Sequence, residues 1–142
     1  MEAIRGSQKS LILVGRQLGV HIGPNDIPDR YKIDDRELSL KEMCELAKSF
    51  DLKAKATKIN ENELLKLLSK KQQILKLKNG RYIIALRAIT NEDEKSVLCL
   101  DAGISNPKPQ QISLKELNKG WDGSVILLKA KLKIFEETSE LK

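Results

Sequence analysis

Aromatic residues make up only 4% of this 142-residue chain. A core of ordinary size must therefore rest on Leu, Ile, Val and Ala. The chain has one histidine, His21, and two cysteines, Cys44 and Cys99, 55 positions apart. Such a set is too sparse for a structural zinc site or a disulfide framework. Both cysteines read as small buried hydrophobes, and His21 as a loop histidine rather than a titrating switch. No stretch reaches the ~18 uninterrupted apolar residues of a membrane span. The opening "MEAIRGSQKS" has no signal-like apolar block. These absences point to a cytosolic protein. Phosphate-cradling glycine loops are missing too, as are H-E-x-x-H and G-x-S-x-G. The acid pairs Asp34-Asp35 and Glu136-Glu137 fall in loop or tail sequence, where solvated carboxylates are expected.

Positive charge is plentiful, and it is unevenly placed. The chain carries a net +6. Residues 52–90 hold ten basic side chains against two acids, Glu61 and Glu63, so this window carries +8 and the remainder −2. A central basic block suits an acidic partner. It equally suits a solvated face with lysines guarding strand edges.

Hydrophobic spacing divides the chain into helices first and strands later. "SQKSLILVGRQLGV" (7–20) has helical periodicity, with Gly19 as a stop. A Gly/Pro/Asn/Asp-rich loop follows over 21–35, with room for a short helical turn. "SLKEMCELAKSF" (39–50) is a helix opening on a Ser39/Glu42 capping box. "LKAKATKI" (52–59) alternates as a half-buried strand. Asn60 and Glu63 cap a helix over 60–70, and Ser113 and Glu116 cap one ending near Gly120. "QQILKLKN" and "RYIIALRAIT" flank Asn79-Gly80, a hairpin signal. "SVLCLDAG" (96–103) and "SVILLKAKL" (124–132) are further strands, and 104–110 reads as a loop. Short connections after residue 72 imply antiparallel pairing. The predicted fold class is α+β, with N-terminal helices packed on one side of a mainly antiparallel sheet.

The order of these elements resembles the N-terminal peptidase domain of bacteriocin-processing ABC transporters. Those are papain-like cysteine peptidases that cut double-glycine leaders. Five stretches carry the resemblance: "SLILVGRQLG" (10–19), "SLKEMCELAKSFDLKAKA" (39–56), "NGRYIIAL" (79–86), "VLCLDAG" (97–103) and "WDGSVILL" (121–128). It covers residues 6–132, leaving 133–142 as an expected linker toward transmembrane and ATPase regions. It implies a papain-like fold.

Carried over residue by residue, the resemblance places the family's nucleophilic cysteine on Gly6 and its histidine on Tyr82. The aspartate falls on Asp101 and is retained. The oxyanion glutamine would lie before residue 1. A thiol protease needs a thiolate and an imidazole. Glycine has nothing to attack with, and a phenol of ordinary pKa ~10 is no base at neutral pH. The implied domain is not an enzyme. It resembles the non-catalytic peptidase-like domains of type I secretion transporters, the haemolysin type that exports RTX toxins and adhesins. That subset implies a soluble domain on the cytoplasmic face of the bacterial inner membrane, needing no cofactor of its own. Its implied partners are an unfolded acidic RTX-type substrate, the rest of the ABC transporter (an ATPase) and the membrane-fusion protein, without nucleic acid. RTX repeats, rich in Asp and Gly and unfolded without calcium, would be attracted by the basic block. Candidate substrate contacts are Tyr82, Arg81, Lys76, Lys78 and Trp121. Tyr82 either fills the vacated cleft and meets Asp101, or offers its ring to a peptide. Trp121 is either a lid on the core or a ligand contact.

Two other classes remain open on sequence. One is an active leader peptidase with an unrecognised nucleophile, for which Cys44 and Cys99 are the only thiols. The other is a basic nucleic-acid-binding module. Scarce aromatics and the lack of interleaved Arg/aromatic motifs speak against it.

Overall fold

Residues 6–31 and 37–130 are described by a computed structural model. Helix α1 (Gly6–Gln17) leads into two 3-10 turns, Pro24–Asp26 and Asp29–Tyr31. Helix α2 (Leu40–Ser49), strand β1 (Leu52–Lys58) and helix α3 (Glu61–Leu68) follow. Then come β2 (Gln73–Leu77), β3 (Tyr82–Thr90), β4 (Lys95–Leu100), β5 (Gln110–Ser113), α4 (Leu114–Gly120) and β6 (Trp121–Ala130). The acid pairs 34–35 and 136–137 and the expected linker lie outside the described residues.

Local chemistry sets the boundaries. Ser39 accepts a bond from Glu42 N while the Glu42 carboxylate takes the Ser39 N–H, closing the box at α2. Asn60 and Glu63 do the same for α3. The third cap is one-sided. Ser113 accepts from Glu116 N, but the Glu116 carboxylate turns to Lys119 at 3.0 Å. At the β2–β3 turn, Gly80 sits at φ 90°, a conformation that favours glycine. Its N–H bonds Leu77 O at 2.9 Å.

All six strands pair antiparallel in the order β1-β6-β2-β3-β4-β5. β5 continues from the predicted 104–110 loop and pairs with β4, with Val97 opposite Ile112. The expected one-sided packing is corrected. Helices α1 and α2 cover one face, where Leu11, Val14, Met43 and Leu46 meet Ile74, Tyr82, Ile84 and Ile126. Helices α3 and α4 cover the other, where Leu64, Leu68, Leu114 and Leu117 meet Leu75, Ile83, Ala85, Val97 and Val125. The cause is in the strands. Successive residues of β2, β3 and β6 point to opposite faces, and both sets are apolar: Ile74 and Leu75, Ile83 and Ile84, Val125 and Ile126. A sheet of this kind needs two covers.

Candidate functional site

The start of α1, the segment before α2, the first residue of β3 and the loop after β4 come together at one place. Ser7 N at the helix start donates to Glu37 Oε1 at 3.0 Å. Free N–H groups at a helix N-terminus favour an anion, and Glu37 supplies it. The Ser7 hydroxyl accepts from Leu38 N at 3.2 Å and lies 3.0 Å from Glu37 Oε1 and 2.7 Å from Gln8 Oε1. Gln8 Nε2 in turn donates to the Tyr31 carbonyl. Residues 37–38 are thus strapped across the beginning of α1.

Tyr82 completes the strap from the sheet side. Its hydroxyl donates to Leu38 O at 2.7 Å, and the residue is 1% exposed. It fills the interior beneath the strap and offers no ring to a peptide. Of the two sequence expectations, cleft filling holds, but without the Asp101 contact. Asp101 is engaged elsewhere: Oδ2 pairs with Arg81 Nη2, and Oδ1 accepts from Gly103 N at 2.9 Å. Burial, then the charge of Glu37 and further contributions from Cys44 and Glu42, pushes the Tyr82 phenol well above its ordinary range. A phenol so placed stays protonated at neutral pH.

Gly6, where the resemblance puts the family's nucleophile, is closed in by backbone. A Cβ added to Gly6 would stand 3.2 Å from Gly103 Cα and 3.2 Å from Glu37 Oε2. A Cβ added to Gly103 would stand 3.0 Å from Gly6 Cα. The loop after β4 therefore rests directly on the helix start. Sequence reading missed both closing groups. The "DAG" at 101–103 contained a signal, since glycine permits close backbone approach. Nothing in the sequence marked Glu37.

The remaining candidates divide. Arg81 is exposed and held by Asp101. Lys76 is half-buried, opposite Tyr82 in the β2–β3 register, with Nζ 5.6 Å from the ring centroid. Lys78 is exposed at the hairpin end, its N–H bonded to Gly120 O at 2.8 Å. Trp121 is not part of the site. It is 3% exposed, belongs to the core on the opposite face, and donates Nε1–H to Ser124 O at 2.8 Å. This is the core-lid arrangement, and the ligand-contact expectation for Trp121 fails on burial.

The two thiols lie on opposite faces of the sheet. Cys99 is buried in the α3/α4 face, and burial pushes its pKa up to about 12. Cys44 is half-buried rather than buried, on the α1/α2 face, and burial raises its pKa as well. Lys48 beside Cys44 pulls the other way, but burial outweighs it, so neither thiol is primed as a thiolate. His21 is exposed. Among the described residues no three His, Cys, Asp or Glu side chains could hold a metal ion, and no helix is long and apolar enough to cross a membrane.

Several solved structures share this architecture. The N-terminal peptidase C39-like domain of a toxin secretion ATP-binding protein from Vibrio parahaemolyticus superposes with a TM-score of 0.70 at 22% identity, over 91% of this chain and 99% of that one. The peptidase domain of Streptococcus ComA, a bi-functional ABC transporter of a quorum-sensing pathway, gives 0.71 at 17% identity, over 89% and 90%. A double-glycine-motif protease from an AMS/PCAT transporter, in complex with its leader peptide, gives 0.72 at 14% identity, over 92% and 88%. At these identities the likeness is one of fold. No curated protein matches the chain. The peptidase C39 family model matches residues 9–133, nearly the whole length and all six strands, and the chain belongs to the peptidase C39 family.

Proposed function

We propose that this is a non-enzymatic, substrate-holding domain at the N-terminus of a type I secretion ABC transporter, on the cytoplasmic face of the inner membrane. The single observation that carries the proposal is the closure at Gly6. The family's attacking side chain is absent there, and Gly103 and Glu37 occupy the space beside the backbone. Tyr82, at the histidine position, is locked to Leu38 O and held protonated. Cutting needs a nucleophile and a base together, and neither is supplied. What the domain retains is a folded body with a strongly basic middle. The cargo that fits is an unfolded, acidic export substrate of the RTX type, drawn in by charge before it is passed to the transporter's membrane and ATPase parts. The toxin secretion protein of Vibrio parahaemolyticus, whose N-terminal domain shares this fold, lends the reading support.

The test is a titration with a calcium-free, Asp/Gly-rich segment at low salt, run beside a cleavage assay with a double-glycine leader peptide. Saturable binding without cleavage is expected. Cleavage that disappears on Cys44→Ala or Cys99→Ala substitution would instead establish an active peptidase.

A further inference from the structure

Strand β1 is one edge of the sheet, and its backbone meets a neighbour, β6, on one side only. Ile59 N donates to Gly123 O at 2.9 Å, and the register runs unbroken from Lys58 opposite Ser124 to Leu52 opposite Ala130. In an antiparallel ladder, residues that exchange bonds with the partner alternate with residues that do not. Lys53, Lys55 and Thr57 therefore bond to β6, while Ala54, Ala56 and Lys58 turn their N–H and C=O groups outward. The Leu128 carbonyl agrees with this phase. Leu128 lies opposite Ala54, and its carbonyl is taken from the far side of β6 by the Lys71 ammonium. Among the described residues no strand pairs with the outward row.

The side chains beside that row leave it open and give it a sign. On the α1/α2 face it carries only the methyl groups of Ala54, half-buried, and Ala56, exposed. The Cys44 thiol of α2 lies by the Ala56 N–H. Burial raises its pKa, and the Lys48 charge and that N–H draw it down. A thiol is a weak acceptor, so the N–H can be ceded to a carbonyl. On the opposite face Lys53 and Lys55 are exposed, and Lys129 of β6 lies directly opposite Lys53. No described carboxylate pairs with these three lysines. Like charges so placed repel, and an arriving acid relieves the repulsion. The other edge, β5, is four residues long, "QQIS", and carries no charge.

We infer that the outward edge of β1 takes up an extended acidic segment of polypeptide as a seventh strand, with carboxylates at alternate positions beside Lys53 and Lys55 and small side chains beside Ala54 and Ala56. The inference rests on the reading of the domain as a holder of unfolded chain. It assigns that holding to a sheet edge three strands, about 14 Å, from β3 and Tyr82. In strand addition the main-chain bonds give affinity to any extended sequence, and alternate side chains give selection. Lysines on an edge keep strands of like charge away. A second copy of this basic strand is therefore repelled where an acidic chain is drawn in. A plane of anionic lipid headgroups would meet the lysines but has no backbone to complete the ladder.

Amide hydrogen exchange on the unsubstituted domain tests this residue by residue, with a calcium-free acidic segment as the probe. In the free domain the outward amides of Ala54 and Ala56 should exchange faster than those of Lys53, Lys55 and Thr57. Saturation with the segment should slow Ala54 and Ala56 at least tenfold. Binding that leaves both unchanged and protects residues 110–113, or the surroundings of residues 6 and 82, would overturn the edge while leaving the holding function standing. No binding at all would overturn the function, and the edge with it. Protection of Ala54 and Ala56 that grows with domain concentration alone would assign the edge to a second copy and refute the inference. Binding to phosphatidylglycerol vesicles but not to the segment would also refute it. Fluorescence anisotropy adds two variants of equal charge. Lys53→Glu/Lys55→Glu should weaken binding at least tenfold. Lys108→Glu/Lys115→Glu, exposed positions on the β4–β5 loop and α4, should change it less than about threefold, the general screening expected of a remote charge. Equal losses would again overturn the edge alone.

Discussion

Gly6 and Gly103 touch backbone to backbone, so closely that a Cβ on Gly103 would lie 3.0 Å from Gly6 Cα. Gly103 N also bonds Asp101 Oδ1, which fixes the loop over the helix start. Gly103→Ala should therefore destabilise the domain by about 1–3 kcal/mol, the usual range for overpacking. Urea unfolding measures it as a lower midpoint with an unchanged slope.

Supplying a thiol at position 6 and an imidazole at position 82 should not produce cutting. In a Gly6→Cys/Tyr82→His double variant the new side chain at position 6 meets Glu37 and Gly103, and Asp101 remains paired with Arg81. A leader peptide incubated with this variant is expected to stay intact by mass spectrometry. Cleavage would mean that the loop after β4 yields readily.

Tyr82 and Leu38 make a second testable pair. Tyr82→Phe keeps the ring in place and removes the donor to Leu38 O, leaving a buried carbonyl without that partner. A loss of about 1–3 kcal/mol is expected. Faster amide exchange should appear in the strap at residues 37–38 and at the start of α1, because Leu38 N and Ser7 are linked.

Much of this was legible beforehand, and the exceptions have physical causes. The capping boxes at Ser39 and Asn60 and the Asn79-Gly80 turn are local chemistry, decided by neighbours a few residues away, and they formed as read. The two-faced packing was also written in the chain, in doublets such as Ile74-Leu75 and Ile83-Ile84. An apolar run was read as one covered face when it signalled two. β5 escaped because "QQIS" has only one strongly apolar residue and is a strand by virtue of its pairing with β4. At the site, Gly6, Tyr82 and Asp101 could be placed by the resemblance, but their partners could not. Glu37 reaches α1 across thirty residues, a contact that no local pattern announces. Trp121 was drawn into the candidate set by its turn-like neighbours, while its register beside Leu77 carries it into the opposite core.

The buried thiol of Cys99 makes stability sensitive to alkali. Its pKa is raised from 9.0 to about 12 by burial, so the folded state holds the proton more tightly than the unfolded chain. That contribution is fully present below pH 9 and is lost as pH rises toward 12. Tyr82, also raised, acts in the same direction above its ordinary pKa of ~10. Cys99→Ala should lower stability at pH 7 by opening a small cavity. It should also make the decline above pH 9 shallower than in the unsubstituted domain. Thermal unfolding across this pH range checks both.

Holding without cutting can be read from one trace. A labelled, calcium-free acidic segment that includes a double-glycine site is mixed with the domain at low salt, and its anisotropy is followed for several hours. A saturable rise that persists, and that collapses when salt is added, is the expected result. A flat trace would remove the holding function, and a rise that decays as a small labelled fragment is released would show a working peptidase and contradict the account.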